Sequence, residues 1–337
     1  MRFVFALLSL LVMVLPARAD DDVLQRLTDG FILPRYHDFT VKNDAQEKAW
    51  TGFCAKPDDA GFEAVRAAYL ASADAWSAIE IIRYGPVAQN YRLERISYWP
   101  ERKNAVAKAL SQLLAGAGTA DLTLEQFVKN SVAGQGLPAL ERLLFDEGDP
   151  KAPFFIGSAA AQRRCAVGAA IAANLARIGH EIEAGWPAII AQFGYDDSDT
   201  EMKTRLATDY VALFAFLRDS KLRPVFGKDA SLAQPHLAEG WRSKRTKQAL
   251  LINLDSAKAM AEIILKGFEA YTPSMIDTAK SLTGELGPDF GVLAQSPKTR
   301  PGLFLVLDAV TAVRDKANDE IPAALDVTIG FNSLDGD

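Results

Sequence analysis

Ala60-Gly61-Phe62-Glu63-Ala64-Val65-Arg66-Ala67-Ala68-Tyr69-Leu70-Ala71-Ser72-Ala73-Asp74-Ala75-Trp76-Ser77-Ala78-Ile79-Glu80-Ile81-Ile82-Arg83 is the stretch that decides the fold. Phe62, Val65, Ala68, Tyr69, Ser72, Trp76 and Ile79 recur at spacings of three and four, which places them on one face of a helix. Gly85-Pro86 stops that helix. The same style extends in both directions. Val23 to Thr51 reads as an opening helical region interrupted near Pro34. Downstream, Pro100 suits the first turn of a helix running to about Ala115, and Leu122 to Asn130 is a short helix with Thr123 as its N-cap. Gly134-Gln135-Gly136-Leu137-Pro138 leads into an amphipathic helix through Phe145, and Ala159 to Ala184 is a long alanine-rich helix. Gly194 to Asp199 reads as a hinge. After it, helices are expected over 200–218, 243–266, 272–282, 286–293 and 298–317, with a proline-punctuated connector over 222–240. Alternating Val/Ile/Thr runs are nearly absent, and alanine and leucine dominate. The expected fold class is therefore all-α. Helices joined by short loops favour bundles, here two packed helical-bundle halves, residues 20–195 and 196–337.

The first residues read as an export signal. Arg2 is the positive n-region, Phe3 to Leu15 is apolar apart from Ser9, and Ala17-Arg18-Ala19 fits the small-x-small cleavage pattern before Asp20. The apolar run falls short of the roughly 20 residues that span a bilayer. Residues 1–19 are thus expected to be a signal peptide, with the mature chain periplasmic or secreted and free of transmembrane segments. Net charge is −6 with acidic and basic residues mixed, and no basic block argues for a nucleic-acid partner. In an exported chain the two cysteines, Cys54 and Cys165, are expected to form a disulfide; the alternative is two buried thiols.

Few residues carry obvious chemistry. The three histidines are His37, His180 and His236, and no His-Glu-x-x-His occurs. His180 with Glu183 and His236 with Glu239 have the spacing that puts imidazole and carboxylate on one helix face, where a metal can bridge them; surface pairs of this kind usually do nothing. Glu141 sits on an otherwise apolar face, which suits a metal ligand or an acid–base group of shifted pKa. Equally, Pro138 at the first helical position would put Glu141 in the opening turn, where the helix dipole alone favours a carboxylate. Arg95-Ile96-Ser97-Tyr98-Trp99-Pro100 and Trp241-Arg242-Ser243-Lys244 join aromatic rings to guanidinium groups. Such sets bind anions or sugars, or brace bundles by stacking, and these residues alone favour bracing. No Gly-x-Ser-x-Gly, P-loop or dinucleotide fingerprint is present.

Taken with Ile32-Leu33-Pro34-Arg35-Tyr36, the Leu140-Glu141-Arg142-Leu143-Leu144-Phe145 helix and the closing Gly330-Phe331-Asn332-Ser333-Leu334-Asp335-Gly336-Asp337, these segments resemble the imelysin family, also called peptidase M75. The resemblance implies an all-helical periplasmic or surface-exposed protein of two related halves with a site between them. It also implies a link to iron acquisition and, by name, to peptidase activity. The family signature Gly-x-His-x-x-Glu falls on Gly136 to Glu141, with Pro138 in the histidine position. Proline has no ligand atom. By family analogy the site gathers Gly136, Pro138, Glu141, Arg95, Tyr98, Trp76, Trp241 and Arg242, and a metal such as iron or zinc would need Glu141 with His37, His180 or His236. The leading expectation is a periplasmic binding protein tied to uptake of iron or another metal, with cell-envelope uptake components as partners. Its rivals are an M75 metallopeptidase using Glu141 as ligand or base, and a non-catalytic cell-envelope interaction module.

Overall fold

A computed structural model describes residues 23–193 and 197–330. The expected signal sequence, residues 194–196 at the expected boundary between halves, and the closing motif from Phe331 onward lie outside the described residues. The described chain contains helices and turns and no strand.

The helices in chain order are α1 (Val23–Leu27), α2 (Leu33–Ala55), α3 (Asp59–Ile79), α4 (Arg92–Ile96), α5 (Ala105–Ala115), α6 (Leu124–Phe127), α7 (Leu137–Phe145), α8 (Ala152–Phe155), α9 (Ala159–Ile190), α10 (Asp197–Phe216), α11 (Arg223–Phe226), α12 (Thr246–Ile264), α13 (Thr272–Gly284), α14 (Phe290–Gln295) and α15 (Arg300–Ala324). Two π-helical segments, Thr28–Ile32 and Leu217–Leu222, precede α2 and α11. Pro34 does not end the opening region: helix runs continuously from Val23 to Ala55, with a π turn over Thr28–Ile32 just before the proline. Pro100, in a cis peptide bond with Trp99, lies outside α5, which begins at Ala105. Thr123 occupies the N-cap of α6 without a side-chain cap bond.

In the first group, α2 packs against α3 and α9. Phe62, Val65, Tyr69, Ser72, Trp76 and Ile79 of α3 are all buried, the face that the periodicity picks out. Asp58 caps α3 by accepting from the Gly61 amide at 2.7 Å. Helices α2 and α9 approach so closely that a Cβ on Gly168 would lie 2.3 Å from the Trp50 ring. Cys54 at the end of α2 is bonded to Cys165 in α9, with Cα atoms 5.7 Å apart. The second group packs α13 against α12 and α15, and α10 against α15.

The groups are joined mainly through α3 and α12. Asn253 Nδ2 donates to the Ser77 carbonyl at 2.7 Å and Ser256 Oγ to the Ala78 carbonyl at 2.8 Å. Both carbonyls belong to the last turn of α3, where intrahelical partners run out. Side chains of α12 thus satisfy the end of α3, which delivers the next residues, Glu80 to Arg83, to the junction.

Candidate functional site

Gly136 caps α7, and a Cβ there would lie 2.2 Å from the Ile96 carbonyl oxygen. Only glycine lets α7 start against the 95–96 backbone. Leu137 and Pro138 are the first two residues of α7, so Glu141 is in its second turn and no carboxylate lies in the first. The dipole reading of Glu141 is therefore not the one realised. The side chain is buried, and its Oε1 accepts from Ser243 N at 3.0 Å and Ser243 Oγ at 2.6 Å. Burial pushes the Glu141 carboxyl above the ordinary glutamate value, and the Ser243 hydrogen bonds, Arg242 and Arg245 offset this only in part. Tyr69 is buried alongside, its phenol held well above the usual value by burial first and Glu141 second. Arg245 reaches back to Asp74 on α3 in an ion pair. Glu141 thus ties α7 to the turn that leads into α12.

A metal does not fit this arrangement. Pro138 offers no donor, Glu141 Oε1 is engaged by two Ser243 donors, and no group of three His, Cys, Asp or Glu among the described residues could hold an ion. His180 does not pair with Glu183: its Nε2 lies 3.0 Å from Asp44 Oδ1, and His37 Nδ1 lies 2.9 Å from Glu183 Oε1. Both are exposed contacts between α2 and α9, at side-chain exposures of 61% and 70% for the two imidazoles. His236 stands edge-on to Trp241 at 4.3 Å, and Glu239 turns inward to Lys221.

Arg95 and the Trp241–Arg242 pair make bracing contacts. Arg95 donates to the carbonyls of Asn90 and Val128 and to Gln135 Oε1 at 2.6 Å. Arg242 stacks on Trp241 at 4.1 Å and donates to Asp146 Oδ1 at 2.6 Å. Trp76 and Tyr98 lie elsewhere, on a cavity of about 320 Å³ completed by Trp99, Arg83, Arg102 and Phe216.

A second cavity of about 980 Å³ shares Glu80, Arg83 and Phe216 with the first. Its walls come from the residues after α3, from α10, from the second π segment and from α15. Beneath both lies Lys221, which the π segment turns inward. Its ammonium is 2.5 Å from Glu80 Oε1, 2.8 Å from Asn253 Oδ1 and 2.7 Å from Glu239 Oε2. Its aromatic neighbours are Phe216 at 5.3 Å and Trp99 at 6.0 Å. Burial pulls the Lys221 ammonium down, but Glu239 and Glu80 outweigh it and leave the pKa above the usual lysine value. Burial pushes the Glu80 carboxyl up, with Lys221 pulling back only in part. Asp209 is also raised by burial, although Arg205 Nε meets its Oδ1 at 3.2 Å.

Sequence reasoning missed Glu80, Arg83, Asp209 and Lys221, and gave Glu239 to His236 where the structure gives it to Lys221. One signal was present: Asp29-Gly30-Phe31-Ile32-Leu33-Pro34-Arg35-Tyr36 and Asp219-Ser220-Lys221-Leu222-Arg223-Pro224-Val225-Phe226 share aspartate, aliphatic, proline and aromatic positions in one register. The register sets Lys221 opposite Phe31, a position that is buried in both segments.

The sequence model of imelysin, peptidase M75, matches residues 32–297. An imelysin-like protein from Psychrobacter arcticum 273-4 superposes with a TM-score of 0.73 at 17% identity, covering 91% of this chain and 96% of that chain. A structure described as an iron-regulated protein A precursor from Parabacteroides distasonis ATCC 8503 superposes with a TM-score of 0.60 at 16% identity, covering 88% and 94%. At these identities the likeness establishes the fold. No curated protein matches the chain. The imelysin match spans most of the sequence and the fold agrees with it, so this chain belongs to the imelysin family.

Proposed function

We propose that this chain is an exported, periplasmic binding protein serving acquisition of iron or another metal. It holds a small ligand in the paired cavities between its two helical halves, residues 20–195 and 196–337, and delivers it to cell-envelope uptake components. One observation carries the binding reading: two cavities, about 980 and 320 Å³, meet at Glu80, Arg83 and Phe216, with aromatic walls and a few convergent charged groups. The leader pattern of residues 1–19 and the Cys54–Cys165 bond support export to an oxidising compartment. Among the described residues no helix is long and apolar enough to cross a membrane. The iron link draws on the relative described as iron-regulated.

The M75 peptidase reading draws no support from Glu141, whose Oε1 is taken by Ser243 and which has no neighbouring ligand set among the described residues. Metal analysis and native mass spectrometry of protein purified from the periplasm test the proposal, with Glu141→Ala alongside. The expected result is a small-molecule or chelated-metal adduct that Glu141→Ala retains. Stoichiometric bare iron or zinc, lost in Glu141→Ala, would overturn it.

A further inference from the structure

The charged groups of the larger cavity pair off, with two exceptions. Arg218 and Arg223 both meet Asp219, at 2.6 and 2.9 Å, and Arg314 stands 4.0 Å from Asp315. Glu80 is held by Lys221, and Asp209 by Arg205 and the backbone amide of Arg83. Arg83 and Asp319 remain: among the described residues neither side chain has an ion-pair partner within 4 Å, and both are exposed on the cavity wall. One is a cation beyond the end of α3, the other an anion on α15. A guanidinium that lines both cavities, with the Phe216 ring at 5.8 Å and Asp209 within its field but no ion pair, is available to a ligand carboxylate.

We infer that the cavity takes a small zwitterion, its carboxylate on Arg83 and its ammonium group on Asp319, with the apolar part of the ligand against Phe216. This deepens the binding reading above and rests on it. A purely anionic ligand leaves Asp319 as an unanswered like charge on the same wall, and a purely cationic one does the same with Arg83. A zwitterion answers both. The Lys221–Glu80–Glu239 cluster fixes the floor, because the ammonium is engaged within the protein by two carboxylates and an amide.

The test is a length ladder of ω-amino acids, glycine, 4-aminobutyrate and 6-aminohexanoate, each beside its N-acetylated and its amidated form. Binding to the full mature chain is read by calorimetry and thermal shift. One length should bind best, and masking either end should weaken it about tenfold, the scale of one charge-assisted hydrogen bond. Arg83→Gln should abolish the preference for free carboxylate over amide while keeping the preference for free amine. Asp319→Asn should do the reverse. Both side chains are exposed, so circular dichroism should show an unchanged fold. Equal binding of masked and unmasked forms, or no binding by any ladder member at millimolar concentration, overturns the inference. Native mass spectrometry separates the two readings: another small molecule on the periplasmic protein sinks the zwitterion but keeps the binding reading, and none at all sinks both.

Discussion

The segments Asp29–Tyr36 and Asp219–Phe226 are built alike and used differently. Each contains most of a π-helical turn that passes into an α-helix with proline as its second residue. Ile32 matches Leu222 and Tyr36 matches Phe226, all buried. At the remaining inward position the first segment has Phe31, fully buried with Arg35 stacked on it at 3.7 Å. The second has Lys221 at 3% exposure among two carboxylates and an amide. One geometry therefore directs a ring into an apolar core and an ammonium into a polar cluster under a cavity. π turns recur at functional sites because the extra residue re-aims side chains. Here only the second segment contributes to a cavity wall, through Asp219, Ser220 and Arg223.

The most severe way to break this comparison is Lys221→Met. It leaves Glu80 and Glu239 buried without their cation, and breaking a buried ion pair typically costs about 3–5 kcal/mol. Urea denaturation should show a loss of that size. Adding Glu80→Gln and Glu239→Gln to Lys221→Met should restore most of it, because the stranded charges are then gone. A loss under about 1 kcal/mol for Lys221→Met alone would show that the cluster does not hold the two helix groups together.

How much of this was legible in the sequence follows from the same residues. The core face of α3 was readable because Phe62, Val65, Tyr69 and Trp76 are large, apolar and periodic, and periodicity is a local property. The Cys54–Cys165 bond was readable from compartment and count. Lys221 was not, because a lysine reads as solvent-facing unless its partners are known, and Glu80 is 141 positions away. Glu141 was singled out for its apolar surroundings, but its partner Ser243 is 102 residues away. The π segments were hidden too: the expectation of a break at Pro34 placed the irregularity at the proline itself, whereas it lies in the preceding turn.

The next largest effect concerns the covalent tie that only the first helix group carries. Cys54 and Cys165 are 111 positions apart, so their bond restrains a long stretch of the unfolded chain. Replacing both with serine should cost about 2–5 kcal/mol, read as a lower urea midpoint with secondary structure retained. The variant should also erase the difference in stability between protein kept oxidised and protein treated with reductant. If reduction leaves wild-type stability unchanged, the packing of α2 on α9 holds that group without the bond.

A smaller effect sharpens the central contrast directly. Phe31→Met should cost only about 1–2 kcal/mol, because a flexible apolar side chain fills most of the ring's space and strands no charge. Part of that cost is the lost stacking of Arg35. The same replacement, to methionine, is thus expected to be mild in one segment and severe in its counterpart. Equal losses measured side by side would mean that burial, and not charge, sets the energetics of both positions.

The smallest predicted effect is a pH slope, and it bears on the family's signature glutamate. Burial holds the Glu141 carboxyl above its ordinary value, so the folded chain binds this proton more tightly than the unfolded chain does. Its contribution to stability therefore falls as pH rises through the folded value and grows as pH is lowered from neutral toward the ordinary glutamate range. Glu141→Gln keeps an oxygen at Oε1 to accept from Ser243 N and Oγ but binds no proton. Wild type should accordingly gain on Glu141→Gln, by a fraction of a kcal/mol up to about 1 kcal/mol, as the pH of matched urea titrations drops from neutral toward 5. A trend of the opposite sign would mean that the fold favours the ionised carboxylate, the state a metal ligand requires. The observed geometry argues against that state: two hydrogen-bond donors from one serine do not fully offset the cost of burying the charge. In this chain the glutamate of the signature ties α7 to the turn before α12.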